Sequence, residues 1–209
     1  MIVAPNEPLV RILCDTNVFV STIVLQSELL TQYLDDLIDQ HENGLMELVV
    51  PKAVQAELYG LLRSGRIQSR RQPVILSHQQ IMYVLEPYLD VLFDRDYLTG
   101  LGALDWPHGK AYKELLGRLL AEEYGWHDWG QAYIEKNLRH PIELLGLTDR
   151  HDLPIMAAGL YHGVDLIITS NMADFIDPLG KIRVMSPSDA KKFDHFTLHA
   201  PYDIWEEAE

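Results

Sequence analysis

The hydrophobic positions change period along the chain, and the changes mark its elements. An apolar run at 10–14 (VRILC) stops at Asp15 and predicts a buried strand. Over 28–40, Leu29, Leu30, Leu34, Leu37 and Ile38 recur at helical spacing, and Asn43-Gly44 stops the pattern. A second strand is predicted over 45–50 (LMELVV), closed by Pro51. A helix then runs to about Arg63, with Pro51 ahead of it or in its first turn. Segments 75–85 and 110–124 read as helical, 89–93 as a strand or a helix end, 100–109 (GLGALDWPHG) as a loop, and 122–137 as helical.

The last third repeats the alternation. A helix is predicted over 152–162, with Pro154 tolerated in its first turn and Gly163 ending it. Strands follow at 164–169 (VDLIIT) and 181–185 (KIRVM), then Ser186-Pro187 and a short helix. Strand and helix alternating at both ends predicts an α/β fold with a mostly parallel sheet. The expected anatomy is a single domain over 1–209, with an inserted helical segment at about 66–147 and an unassigned tail at about 193–209.

Composition narrows the function. At 209 residues and 47% hydrophobic content the chain is long enough for one packed core. Its 17 Lys and Arg stand against 31 Asp and Glu, a net charge of −14. Bulk positive charge is therefore excluded as a means of coating nucleic acid, whereas a local basic patch or a metal-bridged phosphate contact is not. Cys14 is the single cysteine, so no intramolecular disulfide or all-Cys zinc site exists. The start MIVAPNEPLVR has neither the charged nor the apolar region of a signal peptide, and the apolar stretch 12–25 is broken by Asp15 and Asn17. The expectation is a soluble cytoplasmic protein with no membrane contact.

In open α/β sheets, ligands sit beyond the carboxyl ends of the strands. Asp15, Thr16 and Asn17 follow the first strand, and Thr169, Ser170 and Asn171 follow the strand at 164–169, with Asp174 one turn later. Asp152 opens the preceding helix. Glu57 falls at the edge of the stripe formed by Val54, Leu58, Leu61 and Leu62. Each acid alone has a structural role available: a turn residue, a helix cap, a solvated side chain. Together at one sheet edge they would repel and raise each other's pKa, a penalty that a divalent cation removes. Such a cluster suits metal-assisted phosphodiester hydrolysis.

The segments ILCDTNVFVS at 12–21, the Glu57 helix after VVP at 49–51, DRHDLPIMAAGLYHGVDLIITSNMADF at 149–175 and RVMSP at 183–187 resemble the PIN-domain family, most of all its VapC-like toxins. The resemblance spans roughly 10–64 and 147–192. It implies a three-layer α/β/α sandwich with a short parallel sheet, and an endoribonuclease dependent on Mg²⁺ or Mn²⁺. By motif position, Asp15, Glu57, Asp152 and Asp174 are implied as metal-binding and catalytic acids. Asp149 is a rival to Asp152 for the third place. Thr16, Asn17, Thr169, Ser170 and Asn171 are implied to support them. Two departures stand out: 94 residues separate Glu57 from Asp152, and Asn171 occupies a place where many relatives carry an acid. RNA substrate, an antitoxin partner and a homodimer are further implications.

From Leu58 to Leu85 the chain has no acid, but it carries Arg63, Arg66, Arg70 and Arg71. This local positive stretch is a candidate RNA-binding surface, or a dock for an acidic antitoxin segment, since Arg forks suit phosphates and carboxylates. No histidine pair has zinc spacing. A phosphatase of the haloacid-dehalogenase type would need an acid at Asn17. The alternative outside enzymes is a PIN-like RNA- or protein-binding scaffold with weakened catalysis.

Overall fold

A computed structural model describes residues 9–69, 71–88, 121 and 152–192. Four parallel strands form its centre: β1 (Val10–Cys14), β2 (Met46–Val49), β5 (Leu166–Ile168) and β6 (Arg183–Met185), in the order β2-β1-β5-β6. Helices flank this sheet, giving the expected mixed α/β architecture. They are α1 (Thr16–Ile23), α2 (Glu28–Glu42), α3 (Lys52–Ser64), α4 (His78–Leu85), α5 (Leu153–His162) and the single turn α6 (Pro187–Ala190). A two-stranded antiparallel hairpin, β3 (Gln68–Ser69) and β4 (Gln72–Pro73), lies between α3 and α4.

The core explains the period changes. Ile12, Leu13 and Cys14 of β1 are fully buried, as are Leu48 and Val49 of β2 and all three residues of β5. Strands covered on both faces read as continuous apolar runs rather than alternating ones. Phe19, Leu34, Leu37, Val54, Leu58 and Leu62 pack the inner faces of α1, α2 and α3 into the same core.

Register places the site. Leu13 pairs with Val49 and Ile167, and Cys14 with Ile168, so β1 and β5 end together. The Asp15 N–H then donates to the Ile168 carbonyl at 2.9 Å and draws the two exits side by side. At α5, Gly159 lets the helix lie against β5. A Cβ there would stand 2.9 Å from Ile167 Cδ1. Gly163 closes α5 in the left-handed conformation, as the sequence predicts, at a φ of 58°.

Three elements differ from expectation. Helix α1 went unread because Asp15 and Asn17 look like strand-ending residues. Asp15 is in fact its N-cap, with the carboxylate accepting from the Thr16 N–H. Helix α4 begins at His78 rather than Ile75, because Ser77 and Gln80 form a capping box. The hairpin occupies part of the stretch expected to be helical. The elements expected at 89–93, 100–109, 110–124 and 122–137, and the tail at 193–209, lie outside the described residues. Among the described residues no helix is long and apolar enough to cross a membrane.

Candidate metal centre at the carboxyl edge of the sheet

Asp15, Thr16, Asn17, Val20, Glu57, Leu61, Asp152 and Asn171 line one pocket of about 290 Å³. Its three carboxylates come from three places in the chain: the exit of β1, the middle of α3 and the start of α5. None of its described lining residues is basic.

Asp15 is nearly inaccessible, at 2% exposure. Its Oδ1 accepts from the Thr16 N–H at 2.6 Å. Its Oδ2 accepts from the Thr169 hydroxyl at 2.7 Å and from Asn17 Nδ2. Burial pushes its carboxyl up to about 6. The Thr169 hydroxyl pulls the other way, the Glu57 carboxylate pushes it further up, and the Thr16 N–H pulls it down. Desolvation outweighs the hydrogen bonds from Thr169 and Thr16, and no basic side chain lines the pocket among the described residues.

Glu57 is half-buried, and its Oε2 accepts from the Thr16 hydroxyl at 2.6 Å. The α3 stripe of Val54, Leu58 and Leu62 is buried, and Glu57 lies at its edge beside Leu61, as the helical spacing predicts. Asp152 stands at the N-cap of α5 but makes no side-chain cap hydrogen bond. Its buried carboxylate lines the pocket instead, with Asn171 Nδ2 3.5 Å from Oδ2.

The β5 exit ties these groups together. Thr169 is fully buried, and its hydroxyl accepts from Asn17 Nδ2 and from the Asn171 N–H, both at 3.0 Å, while donating to Asp15. Asn17 Oδ1 accepts from the Ser170 N–H at 2.8 Å. Asp174 ends a short 3-10 turn, Met172–Asp174, and its carboxylate accepts from Asn171 Nδ2. It does not line the pocket and is reached through Asn171. Cys14, next to Asp15, is buried with its thiol pushed up to about 12, first by burial and then by the Asp15 charge, which keeps it an inert core group.

The expected Arg surface is not drawn to the pocket. A helix advances about 100° per residue, so Tyr59 and Arg63 project from α3 roughly opposite Glu57. There the Arg63 guanidinium lies 5.9 Å from the Tyr59 ring centroid, and Tyr59 OH pairs with His78 Nδ1 at 3.1 Å. Arg63, Arg66 and Arg71 are exposed. Arg70 and Asp149 lie outside the described residues. Val20 is the lining residue that went unnoticed in the sequence. Reading Asp15 as a cap before Val18, Phe19, Thr22 and Ile23 would have exposed both α1 and Val20.

The donor set of carboxylate, hydroxyl and carboxamide oxygens, with an excess of negative charge, fits a hard divalent cation. Among the described residues no three His, Cys, Asp or Glu side chains are grouped so as to hold a metal ion as they stand. Hydroxyl and amide donors occupy Asp15 and Glu57, and an ion would have to replace some of them.

No family model matches the chain, and no curated protein matches it. Among solved structures, VapBC2 from Rickettsia felis bound to a DNA fragment from their promoter is similar at 14% identity and a TM-score of 0.43, over 84% of this chain and 98% of that one.

Proposed function

We propose that the chain is a divalent-metal-dependent endoribonuclease, with Asp15, Glu57 and Asp152 as the residues that would hold Mg²⁺ or Mn²⁺. The observation that carries the reading is the convergence of these three carboxylates, from three separate elements, on one pocket without a basic lining residue among those described. An uncompensated, desolvated carboxylate such as Asp15 is costly, and such a cost is commonly kept where it serves a site.

A bound divalent cation would lower the pKa of a water and stabilise charge on the phosphoryl group. The chain's own groups set the frame. Thr16 orients Glu57, while Thr169 and Asn17 orient Asp15. Asp152 lines the pocket from the start of α5, where its side chain makes no cap hydrogen bond. Val20 and Leu61 supply the apolar wall. Hydrolysis would leave 5′-phosphate and 3′-hydroxyl ends. Arg63, Arg66 and Arg71 would contact RNA phosphates away from the bond that is cut, on the acid-free stretch that follows Glu57.

The role of toxin in a toxin–antitoxin pair, a protein antitoxin partner and a homodimer belong to the same reading, and the motif resemblance supports them. The test is incubation of the chain with mixed-length RNA in Mn²⁺, in Mg²⁺ and in EDTA, beside Asp15→Asn. Metal-dependent cleavage giving 5′-phosphate ends, absent in the variant, is the expected result. Cleavage that persists in EDTA or in the variant would refute it. Absence of both cleavage and metal binding would favour the scaffold alternative.

A further inference from the structure

After α3 the chain turns back through the β3–β4 hairpin and returns to the end of the same helix. The Val74 N–H donates to the Ile67 carbonyl at 2.8 Å, and the Leu76 N–H to the Leu62 carbonyl at 2.9 Å. These bonds set the start of α4 beside the last turns of α3. There Tyr59 holds two groups. The Arg63 guanidinium lies over its ring, 5.9 Å from the centroid, and its hydroxyl meets His78 Nδ1 at 3.1 Å. With the hydroxyl as donor, the ring hydrogen of His78 sits on Nε2, where it can be given to a ligand. Tyr59 is half-buried, whereas Arg63 and His78 are exposed. No acid lies between Leu58 and Leu85, in a chain of net charge −14.

The hairpin itself is strained at one point. Arg71, exposed in its closing turn, holds a φ of 68°. Left-handed backbone costs a residue that has a Cβ, and Gly or Asn is the ordinary occupant of such a turn. An Arg kept there works against the fold and offers a guanidinium to solvent. We infer that Arg63, His78 and Arg71 form a clamp for the phosphodiester backbone of single-stranded RNA, with Tyr59 as the positioning residue for the first two. Guanidinium forks suit phosphates, and cationic groups set among aromatic rings hold single strands without reading their sequence. An acidic polypeptide would use the charges alone. The choice of RNA rests on the reading of the chain as a ribonuclease. The Tyr59 side of the clamp faces away from Glu57 across α3, so it binds without metal and without cleavage.

The test is fluorescence anisotropy of a labelled single-stranded RNA of mixed sequence, titrated with the full chain in EDTA. Arg71→Gly should bind about fivefold more weakly and flatten the slope of log affinity against log salt by about 0.7, with a urea midpoint equal to or above the original's. His78→Gln and Tyr59→Phe should each lose about threefold with the slope unchanged. The double variant should lose no more than His78→Gln alone, because the Tyr59 hydroxyl acts through His78. Original affinity or a lowered urea midpoint in Arg71→Gly, or losses at Tyr59 and His78 that add, would overturn the inference. Displacement of the RNA by polyglutamate at a lower concentration of charge than by polyuridylate would assign the face to an acidic polypeptide and overturn it too. No RNA binding by the original chain defeats the clamp, whatever the cleavage assay shows. Binding that responds to these substitutions, in a chain that never cleaves RNA, keeps the clamp and defeats the ribonuclease reading alone.

Discussion

The Thr169 hydroxyl donates to Asp15 Oδ2 at 2.7 Å across 154 positions of sequence. This bond joins the exits of two neighbouring parallel strands, and Asn17 and the Asn171 N–H converge on the same hydroxyl. Substituting Thr169→Val preserves shape but removes one donor and one acceptor from a buried site. The expected loss is about 2 kcal/mol of stability in urea unfolding, with Thr169→Ser close to the original. A Val variant as stable as the original would show that the bond is not part of what holds the two exits together.

Asp15 makes folding depend on pH in a direction opposite to most carboxylates. Its pKa is raised from the ordinary 3.8 to about 6 in the fold, so its contribution is fully present below pH 3.8 and is lost as pH rises through about 6. In EDTA, the stability of Asp15→Asn relative to the original chain should therefore grow by up to about 3 kcal/mol from pH 4 to pH 7. A difference that stays flat over this range would contradict the raised pKa. His162 acts with the reverse sign. Burial first, and then Arg11, lower its pKa from 6.5 to about 4, while Glu47 opposes them. Its contribution is present above pH 6.5 and is lost as pH falls through about 4, so His162→Gln should make the chain less acid-labile.

Gly60 lies exposed in α3, and an added Cβ would meet nothing within 4 Å. The Gly60→Ala variant should gain roughly 0.5–1 kcal/mol from helix propensity, read as a higher urea midpoint, with Mn²⁺ affinity unchanged. A loss of stability would mean that the α3 surface packs against something at this point.

Arg63, Arg66 and Arg71 are exposed on the acid-free stretch. Neutralising all three to Gln should flatten the slope of log affinity against log salt for single-stranded RNA by about 2. An unchanged slope would place the RNA path elsewhere.

Much of the frame was legible because buried parallel strands write continuous apolar runs. The strands expected to end at Cys14, Val50 and Thr169 end at Cys14, Val49 and Ile168. The acids Asp15, Glu57 and Asp152 were legible from their places after a strand, at a stripe edge and at the opening of a helix. Three features were not. Helix α1 was hidden because one carboxylate serves as both strand exit and helix cap. The separation of Arg63 from Glu57 follows from helix rotation, which linear closeness conceals. The position of Asp174 behind Asn171 depends on a turn of three residues whose geometry leaves no periodic signal.

The central claim is that Asp15, Glu57 and Asp152 hold a divalent cation, and thermal unfolding with Mn²⁺ or EDTA tests it most directly. At about 100 times its dissociation constant, one ion contributes about 2.7 kcal/mol, a rise in Tm of roughly 5–10 °C for a chain of this size. The account predicts that rise for the original chain and its absence in Asp15→Asn and Asp152→Asn. An unchanged Tm in the original chain, or an equal rise in all three proteins, would contradict it.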